Sequence, residues 1–160
     1  MTSSRSRDDQ PVTGGAHLAR RSALVKRIHA LPSHIDLLIV EDKAQDAHFI
    51  SKPLESLFGK QARLSIAVSV AELKAVLAKS KFSAIILDDR LDKGATADAT
   101  VPLIRAAGHA GPIIVVSALL TRARTAELKR LGVEGMLTKD EVGSVALGER
   151  LLAALGLGTA

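Results

Sequence analysis

The sequence predicts an α/β fold: one parallel, doubly wound sheet of five strands with helices on both faces. Three observations predict it. Short apolar runs alternate five times with longer segments of helical periodicity. The runs Leu37–Val40, Ala84–Leu87 and Pro112–Val116 are continuously apolar, as strands buried on both faces require. These runs, and a later short one, close on polar residues: Glu41-Asp42, Asp88, Ser117 and Lys139. Parallel sheets gather ligands at the carboxyl ends of their strands, so these residues are predicted to share one rim.

The elements follow in order. Residues 1–15 are mostly Ser, Arg, Asp, Gly and Thr and read as a disordered tail. Residues 16–31 form a basic amphipathic helix with Leu24, Ile28 and Leu31 on one face and Leu18 and Val25 beside it. Pro32 stops it, so residues 16–33 are helix and linker. The helix either docks on the body or serves a dimer or other partner. The domain proper spans 34–160 and opens with a strand over 35–40. A helix follows over 45–58, with a kink or late start expected at Pro53 and a stop at Gly59. A strand over 64–68 leads to a helix over 71–79. The third strand, 84–87, precedes a helix over 96–107 that Pro102 is expected to start late. A strand over 112–116, a helix over 121–131 stopped by Gly132, a short strand over 135–138 and a last helix over 144–155 complete the series. Only Gly156 to Ala160 follow, too few for an appended output domain.

Composition narrows the function. A chain of 160 residues, 47% of them apolar, suits one domain with a sizeable core. There is no Cys, which excludes disulfides, thiol nucleophiles and thiolate-bound zinc. Three Phe and no Trp or Tyr argue against a stacking platform for single-stranded nucleic acid. No run is long enough to span a membrane, and residues 1–33 lack the apolar core of a secretory signal. A cytoplasmic protein is expected. The net charge is +5, but residues 1–33 carry six basic and two acidic residues, +4 of that total. The body is nearly neutral, so no nucleic-acid footprint is expected across it.

The rim has a chemistry. Magnesium prefers octahedral oxygen and keeps several waters, so few carboxylates suffice. Asp42 and Asp88 are candidate direct ligands, and Glu41 a ligand through water. Asp88 is the candidate nucleophile, since a carboxylate can accept a phosphoryl group as an acyl phosphate. Ser117 offers a hydroxyl to a phosphoryl oxygen. Lys139 offers a positive charge to Asp88 before transfer and to the phosphoryl oxygens after it. Singly, each has an ordinary structural explanation as a cap or a solvated surface group. Their order along one βα series points to a site.

On the segments LLIVED at 37–42, AIILDDRL at 84–91, PIIVVSA at 112–118 and GMLTKDE at 135–141, the chain resembles the response-regulator receiver domains of two-component signalling. The resemblance covers about residues 35–156. It implies a flavodoxin-like (βα)5 fold, Mg²⁺ dependence, and phosphotransfer from a histidine kinase or phosphotransfer protein to an aspartate. By the family's spacing that aspartate is Asp88, with Leu91 closing the motif. Glu41 and Asp42 match its acid pair, Ser117 its switch hydroxyl and Lys139 its phosphoryl-contacting lysine. The backbone carbonyl of Arg90 is implied as a further metal ligand. Such a chain is a signalling phosphoacceptor rather than an enzyme, with an output protein or a second copy as partner and no role for nucleic acid or membrane.

Several positions depart from the family pattern. Asp92 stands where Pro is usual, and Lys93-Gly94-Ala95 lacks the usual ending of that loop. Met136 takes the place of a switch aromatic; a thioether can change rotamer but offers no ring. Asp140 replaces the Pro that often follows the lysine, and a cis bond there would cost roughly 2.5–4 kcal/mol, so a trans bond is expected. Arg90 lies beside the path of attacking water, where it would either block hydrolysis or steady the phosphoryl group.

Two alternatives stand beside this reading. One is a receiver-like adaptor that works without phosphorylation. The other is a haloacid-dehalogenase-like phosphatase, which needs Asp-x-Asp; Asp88-Asp89-Arg90 places an arginine where its second acid belongs. Flavin binding, a fold-level analogue, lacks aromatics to sandwich the ring.

Overall fold

The computed structural model describes residues 13–31, 33–91, 94–143 and 145–156. Most of the expected N-terminal tail lies outside these residues, as do Pro32, Asp92, Lys93, Ser144 and the last four positions.

Five parallel strands form one sheet: β1 (Ile35–Val40), β2 (Ala62–Ala67), β3 (Ala84–Asp88), β4 (Ile113–Ser117) and β5 (Gly135–Thr138). Their order is β2-β1-β3-β4-β5, the flavodoxin-like arrangement expected. The topological switch lies between β1 and β3, whose register pairs Val40 with Leu87. One residue further on, Glu41 and Asp88 therefore stand side by side. β3 and β4 are buried throughout, as unbroken apolar runs in a central position must be.

Among the described residues six helices cover the sheet: α1 (Thr13–His29), α2 (Ala44–Phe58), α3 (Val70–Lys79), α4 (Ala97–Ala106), α5 (Arg122–Arg130) and α6 (Ala146–Ala154). Strand alternation divides the interior into two cores. Leu37, Ile39, Ala84, Ile86, Ile114 and Val116 face one side, with Leu24 of α1, Leu54 and Leu57 of α2 and Leu151 of α6. Leu38, Val40, Ile85, Leu87, Ile113 and Val115 face the other, with Leu73 of α3, Ile104 of α4 and Leu128 of α5.

The N-terminal helix begins and ends slightly earlier than its apolar stripe suggested. Its face is used within the chain: Leu24 and Ile28 are fully buried, whereas Leu18 is exposed. Gly148 of α6 permits this approach, since a Cβ there would stand 2.9 Å from Leu24 Cδ2 and 3.0 Å from Leu57 Cδ1. Gln61 Nε2 donates to the carbonyls of Ile28 and Leu31 just past α1, where the Ile28 carbonyl also accepts from the Leu31 amide. Arg20 pairs with Glu149 across the same contact.

Neither proline delays its helix. α2 starts at Ala44 and α4 at Ala97, with Pro53 and Pro102 inside. Buried residues anchor each first turn: Ala47 and Ile50 in α2, Ala97 and Val101 in α4. Pro102 is exposed, so the carbonyl deprived of its helical donor lies on the side that water can reach. The strand expected over 64–68 begins earlier, at Ala62, because it pairs along the full length of β1. The last helix starts later than expected, at Ala146. A 3-10 turn over Lys139–Glu141, closed by a capping box between Thr138 and Glu141, occupies the chain ahead of it. No cis peptide bond occurs among the described residues, so Lys139–Asp140 is trans as expected.

Candidate functional site

The carboxyl rim of β1 and β3 gathers three acids. Glu41, Asp42 and Asp88 each bring a carboxylate oxygen within 4.8 Å of the others. Hydrogen bonding fixes the chain around them: the Glu41 amide donates to the Ala67 carbonyl at 3.0 Å, and the Lys43 amide to Glu41 Oε1 at 3.2 Å. Glu41 Oε2 and Asp42 Oδ1 are buried and have no hydrogen-bond partner among the described residues. Such atoms are costly to leave unmet.

Protonation reflects this crowding. Burial, then the neighbouring Asp88 carboxylate, pushes Glu41 up to about 8. Burial also raises Asp88; hydrogen bonding with Glu41, then the Lys139 charge and the backbone N–H of Arg90, oppose that rise. An oxygen-only donor set with two unsatisfied buried oxygens and mutually repelling charges fits a hard divalent cation.

Lys139, just past β5, approaches from the far side. Its Nζ lies 3.7 Å from Asp88 Oδ1 but 2.9 Å from Asp46 Oδ2 on α2. Burial disfavours its charge, yet the bond to Asp46 and the charges of Asp88 and Glu41 outweigh that and raise its pKa. Asp46 is therefore part of the cluster, unanticipated from sequence. An acid four residues after Asp42, in the first turn of the following helix, was the available signal.

Ser117 stands at the end of β4 and lines the same cleft as Asp88, but its hydrogen bonds go elsewhere. Its hydroxyl lies 3.2 Å from Asp89 Oδ2 and 3.0 Å from the Leu119 carbonyl. Alternation explains this. Ser117 follows Ile113 and Val115 on the core face of α3, α4 and α5, whereas Asp88 follows Ala84 and Ile86 on the opposite face. Asp89, one residue on, shares Ser117's side.

Asp89 is buried and bound by Arg124 of α5 through Nη2 at 2.5 Å and Nε at 3.0 Å. Burial raises the Asp89 pKa, but Arg124 and Ser117 more than reverse it. This second cluster also escaped sequence reading, since Asp89 and Arg124 are 35 positions apart. Of the other predicted positions, the Arg90 residue is exposed and bridges Thr96 in an antiparallel pair. Met136 is half-buried against the α3, α4 and α5 core, and its carbonyl accepts from Arg150 at 2.8 Å. A cleft of about 360 Å³ lined by Lys43, Asp88, Ser117, Arg124 and Lys139 opens onto both clusters.

This is the fold of a response-regulator receiver domain. The receiver domain of the Francisella response regulator 1452 superimposes with a TM-score of 0.66 at 18% identity, over 77% of this chain and 98% of that one. The chemotaxis response regulator CheY4 of Vibrio cholerae gives 0.62 at 22% identity, over 79% and 100%. The bacteriophytochrome response regulator AtBRR gives 0.64 at 16% identity, over 81% and 97%. No protein-family model and no curated protein matches the sequence. No helix among the described residues is long and apolar enough to cross a membrane.

Proposed function

We propose that the chain is a phospho-accepting receiver that takes a phosphoryl group on Asp88 from the phosphohistidine of a histidine kinase or phosphotransfer protein. The observation that carries this reading is the convergence of Glu41, Asp42 and Asp88, two of them with orphaned buried oxygens, beside the Lys139 ammonium. Asp42, Asp88 and the Arg90 carbonyl would hold Mg²⁺ directly, with Glu41 acting through water. The cation would supply positive charge to the carboxylates and to the incoming phosphoryl oxygens.

The residues divide the remaining work. An Asp88 oxygen attacks phosphorus as the P–N bond of the donor breaks, and the imidazole leaves with a proton from solvent. The Lys139 ammonium and the Arg90 N–H favour the ionised, nucleophilic form of Asp88. Lys139 then pairs with the phosphoryl oxygens. Output passes to a protein partner or a second copy through the surface of α5, β5 and α6. The signalling role is that of a cytoplasmic phosphoacceptor, not of an enzyme with turnover on a separate substrate.

Incubation with acetyl phosphate and Mg²⁺ tests the assignment by intact mass. A gain of one phosphoryl group is expected for the wild type, with none for Asp88→Asn; labelling of that variant at the wild-type level refutes Asp88 as acceptor. One observation favours a second reading, a phosphorylation-independent adaptor: Ser117 and Lys139 are both engaged elsewhere, with Asp89 and Asp46. A Mg²⁺ titration that leaves the Asp42 and Asp88 resonances unmoved would support that adaptor instead.

A further inference from the structure

We propose that Asp89 and Arg124 are positioning residues that hold Ser117 away from the acceptor and carry its release to α5. The inference rests on the phosphoacceptor reading and goes beyond it. A serine hydroxyl has one proton to donate. Here the hydroxyl sits between the Asp89 carboxylate and the Leu119 carbonyl, and it accepts from the Leu119 amide at 3.4 Å. Asp89 lies on its own side of the rim, and Leu119 is two residues further along the chain. A phosphoryl group on Asp88 offers an acceptor on the other side, inside the cleft that both clusters line. Ser117 can donate to that oxygen only by turning its one proton away from Asp89 and the Leu119 carbonyl, which share it now.

The carboxylate it leaves is not an ordinary surface group. Asp89 is 4% exposed, and its side-chain donors among the described residues are Ser117 and Arg124. Losing Ser117 leaves the guanidinium as its remaining side-chain donor, beside the Ala97 backbone N–H. Arg124 is itself shared, through Nη1, with Asp98 of α4 at 3.1 Å and with Glu127 of α5 at 2.9 Å. Its backbone amide closes the cap of α5 on Thr121. One side chain therefore ties the rim of β3 to the first turns of two helices. A change in what Asp89 asks of Arg124 is a change in how α5 is seated. The coupling needs no aromatic ring at position 136, because a charged network reaches from Ser117 to the helix directly.

Two-dimensional NMR of the full chain tests this with Mg²⁺ and beryllofluoride, a phosphoryl mimic. Binding is expected to move the Ser117 and Leu119 amides, the Arg124 Nε–H and the amides of 122–127 together. In Arg124→Met, the signals near Asp88 and Lys139 still respond, but the response of 122–127 is lost. Asp89→Asn, without the mimic, is expected to shift the α5 amides part of the way toward their bound positions. Should Arg124→Met fail to fold with Asp89 unpaired, the double variant Asp89→Asn/Arg124→Met leaves no charge at position 89 to be paired and is read the same way. A full α5 response in either Arg124 variant, or an Arg124 Nε–H that ignores beryllofluoride in the wild type, overturns the inference alone. Failure of the mimic to bind the wild type at all removes the phosphoacceptor reading, and this inference with it.

Discussion

The two ends of the sheet are both rich in charge, yet they differ in whether that charge is satisfied. At the amino end, Arg105 donates to the carbonyls of His109 and Gly111 at 3.1 and 2.6 Å and to Glu134 at 3.0 Å. Glu134 also accepts from the Ile113 amide at 2.8 Å, and His109 Nε2 meets the Pro112 carbonyl at 3.1 Å. Every group named there has a partner. At the carboxyl end, carboxylates crowd one another and two oxygens have none. Polarity does not distinguish a functional end from a structural one; unmet electrostatic demand does.

The largest effect separating the ends comes from Arg105→Met. The change takes the guanidinium from Glu134 and from the His109, Gly111 and Gly132 carbonyls, at a cost of about 2–3 kcal/mol. Urea unfolding is expected to show that loss equally with Mg²⁺ and with chelator. The mirror experiment, Asp88→Asn, has the opposite sign. In chelator it removes a buried like charge and is expected to raise stability by roughly 1–2 kcal/mol. Adding Mg²⁺ then narrows the gap, because the wild type gains more from the cation. If Asp88→Asn in chelator destabilised the protein as Arg105→Met does, the contrast between the ends would be lost.

The pH dependence sharpens the same contrast. Glu41 titrates near 8 in the folded chain against an ordinary 4.5, so the native state binds its proton more tightly than the unfolded state does. Its contribution is most favourable below about 4.5 and is lost as pH rises through about 8. Burial lowers His109 from its ordinary 6.5, so its contribution is present above that value and is lost as pH falls below it. Melting curves in chelator should show Glu41→Gln flattening the alkaline decline and His109→Gln the acidic one. Mg²⁺ should abolish only the first. An alkaline decline unchanged in Glu41→Gln would show that the three acids do not share their charge as described.

Legibility in the sequence followed the range of each interaction. The strands β3 and β4 and the acids that close β1 and β3 could be read because burial and chain alternation are local. The same alternation, carried to the last residue of β4 and one step past β3, places Ser117 with Asp89 rather than with Asp88. The prolines misled because a breaker rule ignores the tertiary contacts of Ala47 and Val101 that hold the first turns. The apolar stripe of α1 was visible, but its seat depends on Gly148, far along the chain. Lys139 was read as facing Asp88, while its nearer partner, Asp46, is 93 positions away. No periodicity carries such a pair.

That pair gives the smallest effect and the most local test of the carboxyl end. Lys139 and Asp46 are about one-third exposed, so their ion pair contributes at most about 1 kcal/mol, and Asp46→Asn should barely move the unfolding midpoint. Its consequence is positional. With Asp46 neutral, the ammonium keeps one strong acceptor within reach, the Asp88 carboxylate now 3.7 Å away. Closer approach favours the charged form of Asp88 and lowers its raised pKa. Carbon-detected NMR of the Asp88 carboxyl should therefore show titration at lower pH in Asp46→Asn than in the wild type. Acetyl phosphate labelling at slightly acidic pH should be faster for the same reason, since more of Asp88 is ionised. An unchanged carboxyl titration would mean that Lys139 is held by the shape of the turn after β5 rather than by the competition between two acids.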